Sequence, residues 1–183
     1  MISSDREESS SVDNSEDKVI TNMSEFVATG FCGGEGDGTN LTWTLDNEGT
    51  LTVSGEGPME DYSYIYAIPS YASDYDDSVR IRYITIDSGV TTIGYSAFSY
   101  CYKVTSVTIG NSVTSINGWA FYYCSSLKSL VIPSSIASIE VGAFSGCSSL
   151  NDVYYTGSEE QWQKIVIDTA NEPLINATIH YNW

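Results

Sequence analysis

Positive charge is scarce in this chain: Lys and Arg number 7 against 24 Asp and Glu in 183 residues, a formal net charge of −17. That scarcity excludes most nucleic-acid binders, which need a basic footprint to displace counterions from phosphate. It also argues against docking on an anionic membrane surface. No stretch reaches the roughly 18 to 20 consecutive apolar residues of a membrane span, so no membrane insertion is expected. The start, Met1 to Val12, lacks the basic-then-apolar order of a secretory signal. Taken literally the chain is cytoplasmic; taken as a processed or shortened chain it is secreted, and both readings stay open.

Material for catalysis is just as thin. His180 is the sole histidine, and it sits in a short alternating segment near the end, where a structural role fits better than a general base. No G-x-S-x-G occurs despite abundant serine. The four cysteines lack the paired C-x₂-C spacing of zinc sites. Gly33-Gly34-Glu35-Gly36-Asp37-Gly38 has neither the spacing nor the βαβ surroundings of a dinucleotide loop. It matches a calcium nonapeptide only imperfectly and once, so it reads as a turn. Asp87 and Glu140, on different elements, do not make the converging acid pair of a glycosidase. The chain is therefore expected not to be an enzyme, with no cofactor and no metal.

The charge is unevenly spread. Residues 1–30 are rich in Ser and acids without apolar periodicity, which predicts a disordered tail. From 31 to 79 there are acids and no base. Within that segment Leu41-Thr42-Trp43-Thr44-Leu45 and Thr50-Leu51-Thr52-Val53 alternate around Asp46-Asn47-Glu48-Gly49, the pattern of a hairpin cap. Between 80 and 150 only Asp87 and Glu140 stand against Arg80, Arg82, Lys103 and Lys128.

This middle part repeats. Cys101, Cys124 and Cys147 are 23 residues apart. The same step relates Ala97-Phe98, Ala120-Phe121 and Ala143-Phe144, then Val90, Val113 and Ile136, then Ile93, Ile116 and Ile139. Ahead of each unit comes a spaced apolar triplet, as in Leu127/Leu130/Ile132 and Leu150/Val153/Tyr155. A period of this length with that triplet is the signature of a leucine-rich repeat, one short strand per unit stacked in parallel. The expected fold is thus a β-rich solenoid over residues 80–156, with short helical or 3₁₀ turns at Ala143–Cys147 and its equivalents. The cysteines read as a structural ladder of buried thiols. Cys32 has no periodic partner, and a buried cap thiol and a disulfide both remain readings of it. In residues 157–183, Ser158-Glu159-Glu160-Gln161 has capping-box spacing. A short helix followed by a strand over 177–181 would close the stack.

The phrases "VTSINGWAFYYCSSLKSLVIP" and "IASIEVGAFSGCSSLNDVYYTG" resemble the BspA-like leucine-rich repeats of bacterial surface proteins. "CGGEGDGTNLTWTLDNEGTLTVSGEGPMEDY" is similar to the N-terminal cap that precedes such repeats. The resemblance implies a non-catalytic protein-binding or adhesion module at the cell surface or outside the cell. The alternatives are a structural spacer in a larger surface protein and a carbohydrate-binding module that uses its tyrosines. The partner is expected to be a protein, with a glycan as the second class, and the chain to be a monomer.

Three surfaces are candidates for contact. The residues between the buried triplet positions face the concave side of a leucine-rich repeat: Tyr83, Thr85 and Asp87, then Ser106 and Thr108, then Ser129 and Val131, then Asp152 and Tyr154. They form a floor of small side chains with aromatics at its ends. A second patch is the tyrosine-rich segment of Tyr62, Tyr64, Tyr66, Tyr71 and Tyr75; tyrosine combines large contact area with a polar tip. A third cluster is Tyr100, Tyr102, Trp119, Tyr122 and Tyr123, around the turns that carry Cys101 and Cys124.

Overall fold

Alternation in the sequence becomes alternation in space at the N-terminal end. Leu41, Trp43 and Leu45 are buried while Thr42 and Thr44 face outward, along strand β2 (Leu41–Asp46). Strand β3 (Thr50–Gly55) runs antiparallel beside it. The Asp46 carboxylate makes the connecting turn, accepting from the Glu48 N–H at 2.9 Å and the Thr50 N–H at 2.8 Å. Gly49 supplies the left-handed φ of 87° that closes it. The computed structural model describes residues 26–63, 68 and 81–183.

A strand β1 (Phe26–Phe31) pairs antiparallel with β2 and takes the last residues of the expected tail. The tail boundary at 30 is thereby corrected. Phe26-Val27-Ala28-Thr29 carries strand-favouring residues that a reading of charge and Ser content overlooks. The rest of the tail expectation, residues 1–25, lies outside the described residues.

The repeats each contribute to two sheets. Strands β4 (Gly57–Pro58), β6 (Val90–Ile93), β8 (Ser115–Ile116), β10 (Ser138–Ile139) and β12 (Val166–Ile167) form one, in the order β12-β10-β8-β6-β4. Strands β5 (Tyr83–Ile86), β7 (Ser106–Ile109), β9 (Ser129–Ile132), β11 (Asp152–Tyr155) and β13 (Thr178–His180) continue β1, β2 and β3 into the other, an eight-stranded sheet in the order β1-β2-β3-β5-β7-β9-β11-β13. Pairing is parallel from β3 onward, with Tyr83 opposite Ser106, Ser106 opposite Ser129 and Ser129 opposite Asp152. The inner face of this sheet packs against the second sheet around one core, and its outer face is left open.

Between the sheets lie continuous ladders. Phe98, Phe121 and Phe144 are fully buried and stack in turn, with centroids 5.2 and 5.3 Å apart. The cysteines run beside them: the Cys124 thiol donates to the Phe98 carbonyl at 3.4 Å and the Cys147 thiol to the Phe121 carbonyl at 3.2 Å. Cys32, Cys101, Cys124 and Cys147 are all buried free thiols.

The expected helical or 3₁₀ turns are instead chained β-turns. Ala143, Ser145 and Cys147 each donate an N–H to the carbonyl three residues back, but Gly142 and Gly146 have φ of 63° and 78°. A left-handed residue cannot continue a right-handed helix, so each turn ends where it starts.

The C-terminal end is richer than one helix and one strand. Helix α1 (Glu159–Trp162) begins with the capping box, the Ser158 N–H donating to Gln161 Oε1 at 2.8 Å and the Gln161 N–H to Ser158 Oγ at 3.4 Å. Strand β12 then extends one sheet, helix α2 (Glu172–Ile175) crosses over, and β13 extends the other. The closing device is Asn171, buried at the start of α2. Phe98 and Phe121 donate their N–H groups to the carbonyls of Ala120 and Ala143, one repeat on. Phe144 has no next repeat, and its N–H goes to the Asn171 side-chain oxygen at 3.0 Å. The Asn171 amide nitrogen donates to the carbonyls of Glu140 at 2.9 Å and Asp168 at 3.0 Å. One side chain thus takes the place of a missing backbone rung.

Candidate functional site

The outer face of the eight-stranded sheet brings eight of the nine predicted floor residues into two rows. Tyr83, Ser106, Ser129 and Asp152 are mutual neighbours across the strands, and so are Thr85, Thr108, Val131 and Tyr154. Ser129 Oγ donates to Ser106 Oγ at 3.3 Å along the first row. Asp87 is exposed just past the end of β5.

The second row is longer than the repeats. Thr29 lies opposite Thr44, Thr44 opposite Thr52, and Thr52 opposite Thr85. Five threonines therefore stand in line across β1, β2, β3, β5 and β7. Sequence reasoning missed three of them because it stopped the row at the repeat boundary; the alternation of β2 and β3 carried the signal. At the other end Tyr154 stacks on His180, centroids 4.7 Å apart and planes at 15°, and meets Trp183 at 4.3 Å. His180 Nε2 lies 2.8 Å from Asp152 Oδ1, both side chains partly exposed. His180 thus ends the second row, opposite Tyr154, and is held by Asp152 in the neighbouring strand. At the first end Tyr83 is 47% exposed.

The tyrosine-rich segment offers less. Tyr62 is buried, with its N–H donating to the Tyr95 carbonyl at 2.8 Å. Tyr64, Tyr66, Tyr71 and Tyr75 lie outside the described residues.

The third cluster gathers on the turns after β6 and β8. Trp119 stands edge-on to Tyr122, centroids 4.9 Å apart at 89°, and Tyr100 stands edge-on to the same ring at 5.4 Å and 80°. Tyr100 also stacks near Tyr123 at 5.9 Å. Three of these residues adopt left-handed backbone: Tyr100 with φ 64°, Trp119 with φ 59° and Tyr123 with φ 57°. Bulky residues rarely do so. The Trp119 and Tyr123 rings slant toward the next repeat, where glycine leaves room. A Cβ on Gly142 would stand 2.6 Å from the Trp119 ring, and one on Gly146 2.9 Å from Tyr123. Tyr95, whose ring lies over Gly118, and Ser96 complete the group and were missed by sequence reasoning. Burial pushes the Tyr122 phenol up, with neighbouring Tyr123 and Tyr100 adding to it, so the hydroxyl stays neutral.

Among the described residues no group of His, Cys, Asp and Glu is placed to hold a metal ion, and no helix is long and apolar enough to cross a membrane. Three of the thiols are held in their neutral form. Burial first, and Glu60 second, raise Cys32 to about 12. Cys124 is raised by burial, and Cys147 by a side-chain hydrogen bond with Cys124 and by burial.

A leucine rich cell surface protein from Faecalibacterium prausnitzii A2-165 is similar at 23% identity and a TM-score of 0.46, over 69% of this chain and 41% of that one. A leucine-rich repeat protein from Eubacterium ventriosum is similar at 24% identity and 0.46, over 73% and 45%. A leucine rich repeat protein from T. pallidum is similar at 17% identity and 0.46, over 80% and 64%. The chain therefore spans less than two thirds of the length of each. No curated protein matches. The description of a BspA type leucine rich repeat region, in 6 copies, matches residues 67–177, more than half of the sequence. With its parallel strands and stacked repeats, the chain belongs to the BspA-type leucine-rich repeat family.

Proposed function

We propose that this chain is a non-catalytic binding module for a protein partner, displayed at a bacterial surface or secreted, and that it binds through the outer face of its eight-stranded sheet. The observation that carries this reading is the pair of in-register rows. From Thr29 to Thr108 the second row presents only threonine, so a partner's backbone can lie close along it. Side chains fixed by a strand ladder lose little freedom on contact. Tyr83 at one end, and the Tyr154–His180–Trp183 stack at the other, supply aromatic anchors of the kind that dominate interfaces.

The test is capture of bacterial and host surface proteins on the immobilised full chain, followed by affinities for the protein captured. Tyr83→Ala and Tyr154→Ala are each expected to weaken binding by about 1–2 kcal/mol without loss of fold. Tyr102→Ala and Tyr123→Ala, away from the sheet, are expected to change it little. If the second pair abolishes binding and the first pair leaves it intact, the sheet face is not the contact.

A further inference from the structure

A cavity of about 250 Å³ opens among the turns that follow β6 and β8, lined by Tyr95, Ser96, Tyr100, Trp119 and Tyr122. It is separate from the outer sheet face, and four observations bear on what it holds.

Its walls are ring faces and edges set at right angles: Trp119 and Tyr100 both stand perpendicular to Tyr122. Ser96 is fully buried, and its hydroxyl is the one buried side-chain polar atom among the described residues without a hydrogen-bond partner. Two carboxylates are pinned beside the cavity. Asp61 Oδ1 accepts from the Tyr95 N–H at 2.6 Å and from Asn117 Nδ2 at 3.1 Å, and Glu140 Oε2 accepts from the Gly118 N–H at 2.9 Å, next to Trp119. Finally, Tyr100 and Trp119 are held in left-handed backbone at places where the third repeat uses Gly146 and Gly142. The fold accepts glycine there, and backbone outliers of this kind collect at functional sites.

We propose that the cavity binds a quaternary ammonium ligand of the choline class, with its trimethylammonium head against the rings and its hydroxyl paired to Ser96. Perpendicular aromatic faces are the recognised receptor for such a head, through attraction between the cation and the ring quadrupoles. The chain's net charge of −17, focused here by Asp61 and Glu140, favours a cation further. A primary ammonium is a strongly hydrated group with three donors to satisfy, and one hydroxyl does not replace its water. A sugar needs several converging polar partners, and among the described residues the polar side-chain groups lining the cavity are Ser96, the Trp119 indole N–H and the phenols. A phosphate next to the ammonium would meet the two carboxylates, so a free choline-like cation is favoured over a phosphocholine headgroup.

The experiment is isothermal titration of the full chain with choline, with its neutral isostere 3,3-dimethyl-1-butanol, with phosphocholine and with glucose. Choline is expected to bind saturably in the millimolar range or tighter, and the isostere about tenfold or more weaker. Phosphocholine is expected to fall below choline. Trp119→Gly copies the residue of the third repeat, and Tyr122→Leu keeps apolar volume; each is expected to lose about tenfold or more in affinity for choline. Trp183→Ala is expected to bind choline as the parent chain does. Absence of saturable choline binding up to roughly 20 mM overturns the proposal. So does an isostere that matches choline, a phosphocholine that exceeds it, or glucose binding in its place. Unchanged choline binding in both folded cavity variants moves the site elsewhere and overturns it as well. None of these outcomes touches the sheet-face reading, which is measured with a protein partner.

Discussion

The second and third repeats share a backbone and differ in what they place on it. At the two left-handed positions of the turn, the second has Trp119 and Tyr123 and the third has Gly142 and Gly146. Both turns hand the same kind of hydrogen bond onward: the Trp119 N–H to the Val141 carbonyl at 3.1 Å, and the Gly142 N–H to the Thr169 carbonyl at 3.0 Å. Glycine reaches this conformation without steric cost, whereas an L side chain pays roughly 1–2 kcal/mol. The solenoid therefore does not need the aromatics. It tolerates them in one repeat because the next repeat is bare enough to receive their rings.

Changing the bare side should break the comparison hardest. Gly142→Ala puts a Cβ into the Trp119 ring at 2.6 Å and at φ 63°, and is expected to cost about 2–4 kcal/mol in urea unfolding. The third repeat's other peculiarity is its dependence on one side chain. Asn171→Ala orphans the Phe144 N–H and takes a donor from the Asp168 and Glu140 carbonyls, the latter keeping the Ala143 N–H, and should cost about 2–3 kcal/mol by the same measurement. The thiols should treat the two repeats alike. Cys124 and Cys147 are expected to resist alkylation together until the chain unfolds, and fast native labelling of either would break the ladder.

These thiols also set a pH dependence. An ordinary cysteine has a value of 9.0, and Cys32 is raised to about 12 with Cys124 and Cys147 raised too. Above pH 9 the unfolded chain releases protons that the folded chain keeps, so it binds fewer and stability falls as pH rises. The melting temperature should drop steadily from pH 9 toward 12, and a flat profile would contradict the buried ladder. Smaller effects belong to the decorated side. Trp119→Gly should shift stability by less than about 1 kcal/mol, since relief of backbone strain offsets lost ring packing. Ser96→Ala removes an unpartnered buried hydroxyl and should be neutral or stabilising by up to about 1 kcal/mol.

The repeat register was legible because it is written several times: Phe98, Phe121 and Phe144 announce one ladder, and the cysteines another. The hairpin and the capping box at Ser158 were legible because each follows from local spacing. What escaped notice is written once or depends on neighbours. Asn171 closes the stack as a single side chain with no period to betray it. β1 was lost inside a segment read by its charge. The cavity forms because rings of one repeat lean over glycines of the next, a displacement that spacing along the chain does not encode. The candidate floor residues do lie in register across the strands, yet Thr29, Thr44 and Thr52 lay beyond the expected boundary, and His180 was weighed as a base or a structural residue, not as a member of the row.

The place of β1 and β13 at opposite edges of one sheet has a mechanical meaning. Tension passed along the chain acts across the strands, so it opens hydrogen-bond rungs in sequence instead of shearing many at once. Each repeat let go pays out roughly 75 Å of extended chain. A module built this way yields in steps under load, shedding its outer rungs while the inner rows keep their shape.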